Sequence, residues 1–205
     1  MNTEDFNDES EDYYDLIARA RELQRDGRHQ EALELYDEMI EELADEDDSE
    51  LRELAAYALM AKAYRLGELQ RFDEALSTIA LLMIRYGQAD EPKMRRRIAQ
   101  AHTYLAYTLM RRKRYRRVLK ASEEALAYCL GSDDPKMRLE ATMALLYKGH
   151  ALARLFRFRA AARNSEQLFE HIGPNPEPEV LDAVRDFNPK VLRFWRMFRD
   201  NSADA

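Results

Sequence analysis

Four histidines, one cysteine and 39 acidic residues are the groups in this chain that could do chemistry. The histidines are His29, His102, His150 and His171, and no two stand at i,i+4, the spacing that sets a zinc pair on one helix face. Cys129 has no CxxC partner and falls in the apolar stretch from Ala125 to Leu130, so it reads as a small core residue. Nothing encourages a Cys–His pairing across the fold. The acidic run from Asp45 to Ser49 lacks the glycine and the bidentate glutamate that a helix–loop–helix calcium site needs at its sixth and twelfth places. There is no Gly-rich phosphate loop and no GxSxG elbow. Carboxylate pairs crowd linkers and solvent faces, where a raised pKa is not expected. The chain is therefore expected not to be an enzyme, with no catalytic residue, metal or cofactor.

The sharpest local feature is basic. Arg95, Arg96 and Arg97 form one cluster, and Arg111, Arg112, Lys113, Arg114, Arg116 and Arg117 form another around Tyr115. Three readings compete for this basic patch. Arginine stems can cover apolar surface at solvated helix ends and offset nearby acids. The patch can receive an acidic segment, from a partner, from the N-terminal tail or from a second copy. It can also contact nucleic-acid phosphates. Against that third reading, the pI is near 5.3 and the acidic N-terminal third would repel a polyanion.

The net charge of −7 hides this asymmetry, because residues 1–50 carry 4 Lys/Arg against 20 Asp/Glu while residues 91–120 carry 11 against 1. Such a split suggests oriented electrostatics, within the molecule or toward a partner. An apolar share of 46% is ample for a buried seam, and 6 Gly with 6 Pro leave few helix breakers. A lone cysteine and an acidic N-terminus without an apolar core predict a cytoplasmic protein without a signal peptide. No run reaches the length of a membrane-spanning helix.

The elements that must position these groups follow a fixed period. Ala32, Ala75, Val118 and Ala161 are spaced 43 residues apart, each inside a similar stretch: His29 to Leu33, Phe72 to Leu76, Tyr115 to Leu119 and Phe158 to Ala162. A constant period in this range marks a repeat array. The linkers agree, with Pro92, Pro135 and Pro178 each following an acidic residue at the same spacing, as suits proline at a first helical position. Gly87, Gly131 and Gly173 stand where glycines that end a helix are expected. Four αα-hairpins are predicted at about 13–44, 49–87, 92–131 and 135–173, after a disordered acidic tail at 1–10. The segment 174–205 is expected to cap the array, with Asn188 and Pro189 breaking it into two short helices. Val191, Leu192, Trp195 and Phe198 would share a face of the second, as a lid or a dimer contact.

These residues resemble the tetratricopeptide repeat family. The family's mid-helix small sites hold Ala20, Ala63, Ala106 and Gly149, its turn aromatics hold His29, Phe72, Tyr115 and Phe158, and its second-helix small sites hold Ala32, Ala75, Val118 and Ala161. His29 departs from the aromatic rule. The period of 43 exceeds the family's common 34 and looks like the longer subclass that includes kinesin light chain repeats and many bacterial arrays. The resemblance implies an all-α, right-handed α-solenoid whose first helices line a concave groove. The groove places would then include Tyr57, Met60, Tyr64, Tyr107, Arg111, His150 and Arg154, a mix of aromatics and arginine suited to a bound peptide or helix. The competing reading is that Tyr64 and Tyr107 only pack between repeats. The lysine and asparagine clamp of chaperone-tail-binding members is absent from all four units.

The leading expectation is therefore a non-enzymatic scaffold that holds a protein or peptide partner. The alternative is a self-assembling homo-oligomer joined through the C-terminal helix or the acidic tail. Nucleic acid is disfavoured and no membrane partner is expected.

Overall fold

A computed structural model describes residues 3–188 apart from 175, with side chains from residue 11 onward. Among these residues every regular element is an α-helix: α1 Thr3–Arg25, α2 His29–Glu42, α3 Ser49–Glu68, α4 Phe72–Tyr86, α5 Pro92–Arg111, α6 Tyr115–Cys129, α7 Pro135–Arg154, α8 Phe158–Ile172 and α9 Pro178–Phe187. The period survives in the boundaries. Second helices open at 29, 72, 115 and 158, and first helices close at 25, 68, 111 and 154. The local sequence explains both ends. Asp48 caps α3 by accepting from the amides of Glu50 at 2.8 Å and Leu51 at 3.1 Å. Asp134 caps α7 through the Lys136 amide, with Pro135 at the first helical place. Each such cap stabilises its helix by about 1 kcal/mol.

The turn inside each hairpin is one structure repeated four times. The amide of its last residue closes back on the first helix: Arg28 to Leu23, Arg71 to Leu66, Arg114 to Leu109 and Arg157 to Leu152, at 2.8 to 2.9 Å. The preceding residue has positive φ every time, in Gly27, Gln70, Lys113 and Phe156. Only the first of these is glycine, so three turns hold a side chain in the left-handed region at roughly 1 kcal/mol each. Gly131 and Gly173 end their helices with positive φ as expected, whereas Gly87 has φ −64° and continues the helical backbone.

The chain divides into two compact units, one ending at Arg97 and the other beginning at Ile98, inside α5. The boundary is also a change of sign. The first unit carries 13 Lys/Arg against 26 Asp/Glu, a net of −13, and the second 19 against 13, a net of +6. In the first unit α1 packs on α2, α2 on α3 and α3 on α4. Ala20, Ala32, Ala63 and Ala75 lie fully buried there, so helix backbones approach closely. In the second unit α6 packs on α7, α7 on α8 and α9 on α7. Its core joins Leu126, Cys129, Leu145, Leu168 and Ile172 to Val180 and Val184 of α9, which closes the apolar face of α7. At Gly149 the close approach is filled from the side, since a Cβ there would stand 2.9 Å from Asn164 Nδ2.

The first helix runs Thr3–Arg25, so it starts before the expected Tyr13. The terminal element ends as α9 at Phe187, and the expected second short helix with Trp195 lies outside the described residues. No helix among the described residues is long and apolar enough to cross a membrane.

Candidate functional site

In the first unit, α1 and α3 present their polar edges around a cleft of about 290 Å³ lined by Tyr14, Ile17, Arg21, Glu53, Tyr57 and Arg97. Tyr57 is its centre. Arg21 donates to the phenol oxygen from Nη2 at 2.7 Å and Nε at 3.1 Å, and its guanidinium also lies 5.5 Å from the ring centroid. The Arg97 guanidinium stands 5.1 Å from the same centroid and meets Glu53 at 3.5 Å. Lys93 reaches the other Glu53 oxygen at 3.2 Å. Burial pulls Arg97 below the usual guanidinium value, and the Glu53 charge opposes it. Tyr14 is half exposed at the rim and donates to Glu50 at 3.1 Å, and both burial and that carboxylate raise its pKa. A rigid phenol pinned by two guanidiniums beside a carboxylate can bind both an apolar side chain and the polar groups of a peptide.

Of the other groove candidates in this unit, Tyr64 is 41% exposed. Met60 is 2% exposed, so it packs in the core and presents nothing to a partner. The helical period brings Met60 onto the seam because α3 is covered on more of its circumference than a single inner stripe.

The second unit collects its candidates into a ladder of rings. Tyr107 lies 5.5 Å from Tyr104 and 6.0 Å from Tyr147, Tyr147 meets Phe187 edge-on at 5.7 Å, Phe187 meets His150 at 6.2 Å, and His150 meets Tyr115 at 6.0 Å. Arginines border both ends. Arg111 donates to the Tyr107 oxygen at 2.9 Å, and Arg154 lies 5.6 Å from the Tyr115 centroid. Offset and edge-on contacts of this kind contribute about 0.5–1.5 kcal/mol each beyond area burial. Burial first, and the Arg154 charge second, lower the His150 pKa. A cleft of about 310 Å³ opens beside the ladder, lined by Gly149, His150, Ala161, Asn164, Leu168 and Phe187. Tyr107, Arg111, His150 and Arg154 thus belong to one neighbourhood.

Arg95 is exposed and Arg96 half-buried, while Arg97 turns into the Tyr57 cleft. The period carried a signal for this, since Leu54 and Glu140 stand 43 residues to either side of Arg97 and both lie on inner faces. Arg112, Arg114, Arg116 and Arg117 are exposed on the third turn.

Cys129, His102 and His171 are packed into their units. Cys129 is fully buried, donates to the Ala125 carbonyl at 2.9 Å, and burial pushes its thiol up to about 12. His102 faces Glu124 at 3.2 Å and stacks on Tyr128, and burial lowers its pKa despite that carboxylate. His171 bonds the Arg138 carbonyl at 3.0 Å through Nε2, and burial lowers its pKa as well. Burial raises the Glu140 pKa, with hydrogen bonds from Thr103 and Gln100 opposing. Among the described residues no three His, Cys, Asp or Glu side chains are grouped to hold a metal ion. Compared with known proteins, the chain matches no protein-family model, no curated protein and no solved structure.

Proposed function

We propose that this chain is a non-catalytic, tetratricopeptide-like repeat scaffold of the cytoplasm that holds a peptide or helical segment of a protein partner against the first-helix face. The carrying observation is Tyr57, held between Arg21 and Arg97 at the edge of an open cleft. Aromatic and arginine side chains fixed by their neighbours lose little rotamer entropy on binding, which is why such residues dominate interface energetics. The ring ladder ending in Arg111 and Arg154 offers the second unit a comparable surface. A fully buried cysteine with a strongly raised pKa suits a chain that neither attacks substrates nor forms disulfides.

The test compares partner capture from native lysate by wild type and two folded variants, Arg21→Ala/Tyr57→Ala and Tyr107→Ala/Arg111→Ala. Each pair should weaken capture by about 1–3 kcal/mol, a roughly 5- to 150-fold loss of affinity for the partner. Equal capture by all three proteins would reject the first-helix face as the site.

A further inference from the structure

The four hairpin turns share one backbone but differ in one side chain. Each N-cap is arginine, with φ between −80° and −89° and ψ between 54° and 58°. In the first unit that arginine grips a carboxylate three residues on. Arg71 holds Glu74 through Nε and Nη2, both at 2.6 Å, and Arg28 holds Glu31 in the same two-pronged way. In the second unit the equivalent residues are Arg117, following Arg114, and Ala160, following Arg157. The internal carboxylate is gone from both turns.

Residues 92–122 and 141–165 contain no Asp or Glu. The two turns lie side by side, since Arg154 and His150 both contact Tyr115. Together they expose Arg114, Arg116, Arg117, Arg157, Arg159 and Arg163. Between these cations stand two unusually exposed rings, Phe156 at 80% and Phe158 at 64%, edge-on at 6.0 Å. Phe156 has φ +58°, an unfavourable conformation for a bulky residue, at a place where the first turn uses glycine.

We infer that the third and fourth turns form a docking surface for an acidic protein segment that alternates carboxylates with apolar side chains. The carboxylates take the places of Glu31 and Glu74 on Arg114 and Arg157, and the apolar residues cover Phe156 and Phe158. The first two turns show that this backbone directs its arginine fork onto a carboxylate, which favours a protein ligand over a phosphate polymer or a lipid surface. This surface borders the first-helix face at Tyr115, but Arg114, Arg157, Phe156 and Phe158 carry it and play no part in that reading, so each can fail without the other.

The test is fluorescence anisotropy of a fluorescein-labelled peptide of alternating Glu and Phe, titrated with the full chain at physiological salt. Parallel arms use a Glu–Ser peptide, oligouridylate RNA and phosphatidylserine vesicles. Wild type should bind the Glu–Phe peptide more tightly than the Glu–Ser peptide. Arg117→Glu/Ala160→Glu restores the internal carboxylates of the first unit, should fold normally, and should weaken binding about tenfold or more. Phe156→Ala/Phe158→Ala removes only exposed rings and should also weaken it, while Ala160→Gln should bind like wild type. No binding by wild type, equal binding by Arg117→Glu/Ala160→Glu, or preference for the RNA or the vesicles would overturn the inference.

Discussion

Replacing Gly149 with alanine tests how the last hairpin is held together. In an isolated helix the change is favourable by about 1 kcal/mol. Here the new Cβ would stand 2.9 Å from Asn164 Nδ2, closer than such atoms pack. Asn164 is 5% exposed and donates to the Leu145 carbonyl at 2.9 Å, so its amide cannot swing into solvent. Moving it forfeits a buried hydrogen bond, about 1–3 kcal/mol, and strains the α7–α8 contact by about 1–3 kcal/mol. Against the helical gain, the net loss should be about 3 kcal/mol, or a Tm fall of about 6–12 °C in a chain of this size. The third hairpin supplies the control, because one period earlier Ala106 and Ala121 occupy the same two places and both are buried. Gly149→Ala/Asn164→Ala should therefore be destabilised by about 1 kcal/mol less than the sum of its single variants. Calorimetry and urea unfolding of the four proteins decide it. A stabilised Gly149→Ala, or strict additivity, would refute the steric argument.

Other expectations follow from the same structure. His102, His150 and His171 have lowered pKa values, so the unfolded chain binds their protons first. Stability should then fall as pH drops below the ordinary histidine value of 6.5, read as a declining Tm between roughly pH 6.5 and 5. Glu140 acts oppositely, because its raised pKa makes the native state take up a proton first. Glu140→Gln should steepen the acid loss, and an unchanged slope would contradict the burial assigned to that carboxylate. Lys113→Gly, at φ +55°, should raise stability by about 0.5–1 kcal/mol in urea unfolding, and a loss would show that the side chain contributes more than its backbone strain. Cys129 should react with a thiol reagent only as fast as the protein opens, whereas rapid native labelling would contradict its burial.

Much of the helical layout was legible because caps, turn residues and small seam residues all repeat at one spacing. Asp48 and Asp134 were readable as caps from the residues that follow them, and Ala20, Ala63 and Ala106 as buried from their place in the helix. What escaped depends on three-dimensional neighbours. Arg97 looked like one more surface cation, but its stem enters the Tyr57 cleft because Glu53 and the ring together accommodate a guanidinium. Met60 lay on a plausible groove stripe, yet packing covers more of α3 than one face. Left-handed φ at Gln70, Lys113 and Phe156 was hidden because only the first turn uses the residue that advertises it. The loss of the internal carboxylate from the third and fourth turns was visible as letters, but its meaning required the Arg28 and Arg71 pairs.

The central claim is that the first-helix face holds a protein partner. Its most direct test is photo-crosslinking in cells with benzoylphenylalanine placed singly at Tyr57, Tyr64 and Tyr107, and at Ile84, which is 82% exposed on α4. The proposed scaffold predicts discrete partner adducts from the three first-helix positions and none from Ile84. Adducts from Ile84 alone, or from no position, would contradict it.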